Sequence, residues 1–324
     1  MKALLCRRFG APEDLAVEDV APCVPKSNEV VVRVRAAGVN FPDGLIIQDR
    51  YQIKPPLPFS PGGELAGEIT AIGKDVTGYR VGQPVMAFLG WGAFAEEAVV
   101  PESRLVAMPH GMPFELGGAF LTTYGTCYHA LHDRAALKPQ ETVLVLGAAG
   151  GIGMAAIELA KSMGARVIAA ASSDEKLNAC RTCGADEVIN YSQQDLKHQL
   201  KVLTGGRGVD VVCDPVGGEF TEPAVRSMAW RGRYLVIGFA GGSIPRVALN
   251  LVLLKGCALV GVFWGDFVER EPEAAAMDMN ALFELHRAGR IQPHISGRFG
   301  LQDASKALRA LQDRTVSGKL IVVP

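Results

Sequence analysis

The run Val143–Gly153, VLVLGAAGGIG, joins an apolar stretch of buried-strand character to a glycine cluster that opens into a helical pattern. Within it, Ala148-x-Gly150-x-x-Gly153 lets the backbone turn tightly and approach a diphosphate, whose charge then rests on helix N-terminal amides. Ala149, Gly150, Gly151 and Ile152 supply the groups that would touch it, and Ala148 stands where the first glycine of G-x-G-x-x-G is usual. Glycine runs also occur in ligand-free turns, so the argument rests on context: strand before, helix after. That context favours a dinucleotide site.

The chain of 324 residues exceeds what one core usually supports, so two domains are expected. With 33 basic against 34 acidic side chains, no excess charge points to nucleic acid or an anionic membrane surface. The apolar patch in MKALLCRRFGAPEDL is too short for a signal or membrane segment, which predicts a cytoplasmic protein. Seven scattered cysteines, an odd number, suit reduced thiols better than a disulfide framework.

The first hundred residues read as short strands between turns, at Glu29 to Val34, Leu65 to Ile72, Pro84 to Ala87 and Phe94 to Val99. From Thr142 strands and helices alternate, the rhythm of βαβ units on a parallel sheet. Strands are expected at Thr142 to Leu146, Arg166 to Ala171, Glu187 to Asn190, Val209 to Asp214, Arg233 to Gly238 and Ala258 to Val262. Helices are expected from Gly151, from Ser172 with the capping pair Ser172-x-x-Glu175, and near Ser192. A further amphipathic helix over Glu273 to Ala288 places Met277, Ala281, Leu282 and Leu285 on one face. The ending GKLIVVP reads as a last strand. The expected fold class is α/β, a Rossmann doubly wound parallel sheet plus a β-rich domain. The expected domains are residues 1–122, residues 123–262 for the dinucleotide, and residues 263–324 returning to the first.

The second strand of such a sheet separates NAD from NADP, because an acidic residue at its tip binds a ribose hydroxyl and a cation accommodates a 2′-phosphate. Here the tip reads Ala170-Ala171-Ser172-Ser173, without a carboxylate, and Lys176 follows within one turn. NADPH is the expected cofactor, held by Ser172, Ser173 and Lys176. The serines also suit a helix cap and the lysine a solvated surface, and Asp174 would repel a phosphate if it pointed inward.

Taken together, AAGVNFPD (36–43), YQIKPPLPFSPGGELAG (51–67), LTTYGTCYHAL (121–131), the glycine loop and SGKLIVVP resemble the quinone oxidoreductase, or zeta-crystallin-like, branch of the medium-chain dehydrogenase/reductase superfamily. The likeness covers nearly the whole chain. It implies a GroES-like catalytic domain built from both chain ends, a Rossmann domain between, a cofactor cleft at their junction and a homodimer. Zinc-dependent members carry Cys, His and Cys where this chain has Asn40, Gly63 and Gly118, and no cysteine lies between Cys23 and Cys127 to form a structural site. No metal is expected. Cys180-x-x-Cys183 and the pair His129 and His132 read as ordinary helix residues.

The resemblance also implies site residues. Asn40 is placed to bond the nicotinamide ribose or amide, with Asp43 in the same loop; both residue types also suit plain turns. Thr126 would face the nicotinamide or pack in its helix, and Tyr191 would lie beside the 2′-phosphate or sit half-buried at a strand end. Gly238, Phe239, Phe263 and Trp264 follow strands five and six, where ligands of such sheets bind, although the two later aromatics also suit interdomain core. Lys319 resembles a C-terminal cofactor contact. Tyr51 is the candidate donor to the substrate oxygen, with a structural role equally open. Lys54 is a weaker candidate, and Glu64 reads as a loop brace.

These features imply NADPH-dependent, metal-free hydride transfer to quinones or α,β-unsaturated carbonyl compounds. Reduction of enoyl thioesters or haloacrylates uses the same cofactor chemistry and stays open. A cofactor-binding protein with an RNA-binding or structural role is the remaining alternative, opposed by the near-neutral charge.

Overall fold

Val30, Val32 and Val34 are buried while Arg33 and Arg35 are exposed, the period-two alternation of a strand, and Val31 is covered on the opposite face. That strand, Glu29–Val39, is the hub of the first unit in a computed structural model that describes residues 1–324. It pairs antiparallel with Glu64–Ile72, Glu97–Pro101 and Lys319–Val323. Pro84–Phe88 and Leu105–Ala107 extend the sheet at one side, and Ile295–Gly300 pairs parallel with Lys319–Val323 at the other. Gly67 permits the tightest crossing, since a Cβ there would stand 2.0 Å from the Arg33 carbonyl oxygen. The unit comprises Met1–Thr122 and Ile295–Pro324.

The second unit is Thr123–His294. Its strands are Thr142–Leu146, Arg166–Ala171, Glu187–Asn190, Val209–Asp214, Met228–Val236 and Ala258–Gly261, all parallel. Numbered along the chain, they lie in the order 3-2-1-4-5-6, the doubly wound arrangement. TVLVL is buried throughout, as a central strand covered on both faces must be. The order reverses beside strand one, where the glycine turn emerges. No helix is long and apolar enough to cross a membrane.

Several elements differ from the sequence pattern. Ser173, not Ser172, caps the helix Asp174–Thr182, its Oγ accepting the Lys176 amide at 3.3 Å. The next helix starts at Leu196 with Asp195 as its cap. In the helix Pro272–Arg287, Met279 and Leu282 are buried and Met277 is 67% exposed. A 3.6-residue spacing fits two adjacent faces there, and packing on the helix Trp264–Arg270 selects one. Residues 263–294 lie in the second unit, so the chain returns at Ile295 rather than at 263. Buried Trp264 and Phe267 anchor that stretch, the indole lying over Gly125 and the phenyl ring stacking on His129 at 3.9 Å.

Candidate functional site

In the second unit, strand Thr142–Leu146 ends at Gly147, whose φ of +57° is a left-handed turn that favours glycine. Gly153 is fixed by packing, because a Cβ there would meet the Ala148 backbone at 2.5 Å. Gly150 is different. Its φ of −78° suits any residue, and a Cβ would meet nothing nearer than the Gly147 carbonyl oxygen at 3.4 Å. The space kept clear by this glycine lies before the first turn of the helix Gly151–Ser162, where the unpaired amides of Gly151 and Ile152 begin. Ala149 is buried beside them. Buried Thr126 neighbours this turn, since the Cys127 thiol donates to the Ile152 carbonyl at 3.1 Å.

At the tip of strand two the Lys176 ammonium donates to Ser172 Oγ at 3.2 Å. Asp174 does not oppose them, because its Oδ1 accepts the Asn190 amide at 2.8 Å. Tyr191 stands at the end of strand three, its backbone amide on the Ala171 carbonyl and its ring 4.2 Å from that of Phe220. Ammonium, hydroxyls and helix-terminal amides form a donor set suited to a phosphorylated dinucleotide. Gly238 and partly exposed Phe239 follow strand five. Gly238 is held by Asp214, a residue the sequence pattern did not single out. Its Oδ1 accepts the amides of Val216 and Gly217 at 2.7 and 2.8 Å, Oδ2 accepts the Tyr234 hydroxyl, and its carbonyl accepts the amides of Ile237 and Gly238. An Asp ending a strand before Pro-Val-Gly-Gly was the available signal. Phe263 is 45% exposed, whereas Trp264 is buried, its indole against Gly125.

The first unit gathers its polar residues through strand register. Val39 lies opposite Leu320 on one side, and Gly38 opposite Glu64 on the other. Asn40, the next residue, is therefore flanked by Lys319 and Glu64. Gly38 leaves room for the carboxylate, since a Cβ there would stand 2.3 Å from Glu64 Oε1. The buried Lys319 ammonium donates to Glu64 Oε1 and Asn40 Oδ1, both at 2.7 Å, and to the Val39 carbonyl at 3.1 Å. All three of its donors are used. Lys319 is thus bonded within the protein to Asn40 and Glu64. Glu64 braces the loop, its Oε2 accepting the Thr122 amide at 2.9 Å.

Asn40 Nδ2 donates to Glu64 Oε1 at 2.9 Å and to the Gly38 carbonyl at 3.3 Å, so its amide hydrogens are committed. One lone pair on Oδ1 remains for a ligand hydroxyl or amide. Asn40 precedes the helix Phe41–Ile46, and Asp43 Oδ2 accepts its backbone amide at 2.7 Å. Burial pushes the Asp43 carboxyl up to about 7, opposed by the Asn40 amide and the Lys319 charge. Tyr51 packs on the core of this unit, and burial, followed by the Asp43 charge, raises its hydroxyl pKa. Lys54 is engaged by Asp49 at 2.7 Å.

Residues 26–110 match the alcohol dehydrogenase GroES-like domain family and residues 151–281 the zinc-binding dehydrogenase family. The zinc in that second description does not fit the donors at Asn40, Gly63 and Gly118, which offer neither thiolate nor imidazole. Quinone oxidoreductase-like protein 2 of Bos taurus is 38% identical over 99% of this chain and 92% of its own length. The quinone oxidoreductase of Pseudomonas aeruginosa is 35% identical over 98% of this chain and 97% of its own. Among solved structures, Escherichia coli quinone oxidoreductase complexed with NADPH superposes with a TM-score of 0.93 at 29% identity, covering all of both chains. Order of motifs, sheet topology and full-length similarity agree. The chain belongs to the quinone oxidoreductase-like branch of the medium-chain dehydrogenase/reductase superfamily and is an oxidoreductase.

Proposed function

We propose that this oxidoreductase uses NADPH to reduce quinones or α,β-unsaturated carbonyl compounds by hydride transfer without a metal. The observation that carries the reading is the tip of strand two, where Lys176 and Ser172 meet and Asp174 is drawn away onto Asn190. A 2′-phosphate gains charge-assisted bonds there. The NADPH complex of the Escherichia coli relative supports the same cofactor.

When bound, NADPH supplies the hydride. The chain's part is to bind, orient and stabilise. The Gly150–Ile152 turn takes the diphosphate on backbone amides, and Asn40 Oδ1 accepts from the ribose or carboxamide. Tyr191 lies with the 2′-phosphate, Gly238 and Phe239 hold the carboxamide, and Thr126 and Phe263 border the nicotinamide. Tyr51 donates a hydrogen bond to the substrate oxygen on which negative charge develops. Its raised pKa suits a donor that keeps its proton.

We also infer a homodimer in the cytoplasm. Leu249, Leu253, Leu254 and Trp230 are each at least 70% exposed, and strand Ala258–Gly261 has a free edge. A second copy would cover both. Light scattering on Leu253→Asp/Leu254→Asp should read half the mass of the wild type.

The deciding assay follows NADPH absorbance in chelator-treated protein against quinones, enones and acyl thioesters. Turnover with quinones or enones, at lower KM for NADPH than NADH, is expected. Turnover with acyl thioesters alone moves the reading to an enoyl thioester reductase, and no turnover with salt-dependent RNA retention removes it.

A further inference from the structure

Far from Asn40 in sequence, the second unit holds a cluster that neither cofactor binding nor hydride transfer uses. His129 Nδ1 lies 2.8 Å from Asp133 Oδ2, and His132 Nδ1 lies 2.7 Å from Asp133 Oδ1. Asp278 reaches the same point from the helix Pro272–Arg287, on the face that also buries Met279 and Leu282. Ligand atoms of His129, Asp133 and Asp278 all lie within 4.8 Å of one another.

Three features separate this from a chance meeting of polar groups. Asp278 Oδ2 is sealed from solvent and finds no hydrogen-bond donor in the protein, an arrangement that needs a partner of some kind. Two carboxyl groups adjoin, and the groups beside Asp133 are imidazoles rather than lysine or arginine. The His129 ring is held flat against Phe267, with centroids 3.9 Å apart and planes 15° from parallel, which fixes the direction of Nδ1.

We propose that His129, Asp133 and Asp278 bind a divalent transition-metal cation, of the zinc or cobalt class, which clips the helix Pro272–Arg287 to the segment His129–Arg134. One imidazole nitrogen and two carboxylate oxygens are donors for such an ion, and water completes the coordination. At bond lengths of about 2.1 Å, ligand atoms around a tetrahedral centre stand about 3.4 Å apart. Nδ1 and Oδ2 therefore need to separate by roughly 0.6 Å, within reach of side-chain rotation. His132, on the other oxygen of Asp133, is the outer partner that orients the ligating carboxylate. This site lies wholly in the second unit and is unrelated to the positions of Asn40, Gly63 and Gly118.

The test uses full-length protein, stripped with chelator and with its cysteines alkylated under denaturing-free conditions, titrated with CoCl2 and then ZnCl2. Calorimetry should give one ion per chain, cobalt should develop visible d–d absorption without a thiolate charge-transfer band, and Tm should rise. Asp278→Asn and His129→Gln should each weaken binding by roughly 100-fold or more, and His132→Gln by about 10-fold. Apo Tm values, measured for each variant, separate lost ligation from lost folding, and Asp133→Asn replaces any variant that does not fold. Binding that persists at wild-type strength in folded variants, or no binding at all to the wild type, overturns the proposal. Neither result bears on NADPH oxidation, which is measured in chelated enzyme.

Discussion

Replacing Lys319 by Met tests whether the ammonium holds the site together or touches the cofactor. The Lys319 and Glu64 side chains are 6% and 1% exposed and meet at 2.7 Å. Methionine keeps the length of the stem but removes the charge and three donors. Glu64 then sits as a sealed carboxylate with only neutral partners, and Asn40 Oδ1 loses its donor. Removing one partner of a buried pair costs about 3–5 kcal/mol, most of it the stranded charge rather than the net worth of the pair. Glu64→Gln strands the ammonium in turn. With both changed no charge is stranded, so the double variant should cost little more than either single one, a coupling of about 3 kcal/mol or more.

Urea unfolding monitored by far-UV circular dichroism and by tryptophan fluorescence supplies the four free energies, and coincidence of the two probes checks that one transition is being read. Because Lys319 also fixes the amide of Asn40, the single variant should raise KM for NADPH and NADH alike. A Lys319→Met protein destabilised by less than about 1 kcal/mol would refute the argument. So would a coupling near zero. A variant of normal stability whose KM rises for NADPH alone would return Lys319 to direct contact with the cofactor phosphate.

Lys176→Ala should raise KM for NADPH roughly 10- to 100-fold and leave NADH within about twofold, because only the phosphorylated cofactor loses a charge-assisted bond; steady-state kinetics with both cofactors reads this. Gly150→Ala should fold with nearly unchanged Tm while weakening NADPH binding in calorimetry, whereas Gly153→Ala should lower Tm sharply, its Cβ landing 2.5 Å from the Ala148 backbone. Tyr51→Phe should lower kcat more than it changes KM, if its hydroxyl serves the developing charge. Asp43→Asn should show a pH-dependent gain over wild type. A carboxyl raised from 3.8 to about 7 on folding carries no penalty below pH 4, an increasing one between pH 4 and 7, and a full one above, on the order of 4 kcal/mol. Urea midpoints of the two proteins should therefore draw toward the variant as pH rises from 5 to 8, and parallel profiles would contradict the buried-carboxyl reading.

The parallel sheet was legible because its signal is local: TVLVL, RVIAAA and VDVVCD are apolar runs broken by glycine turns, and each is a buried strand. The first unit was less so. Lys2–Leu5 and Ala16–Asp19 form a two-stranded ribbon whose second strand, AVED, is exposed or half-exposed throughout and gives no alternation. Ala36, Ala37 and Gly38 extend the hub strand although alanine and glycine are poor strand formers, because partners on both edges and complete burial of Ala36 and Ala37 outweigh propensity.

The site was legible only one residue at a time. Asn40, Ser172 and Lys176 each belong to a local motif, but Lys319 and Glu64 are 255 positions apart, and nothing local states that their side chains meet. Register decides it: Glu64 faces Gly38 and Leu320 faces Val39, so the two charges can only converge on Asn40. Asp278 shows the same principle with a helix. In AAAMDMNALFEL it reads as one acidic residue in an amphipathic run, and nothing local states that it meets a histidine. Packing buries Met279 and Leu282, and Asp278, one turn before Leu282, lies against His129 and Asp133. An anion withdrawn from water needs a donor or an opposite charge; the adjoining Asp133 carboxylate supplies neither to Asp278 Oδ2, and a cation held between the two would.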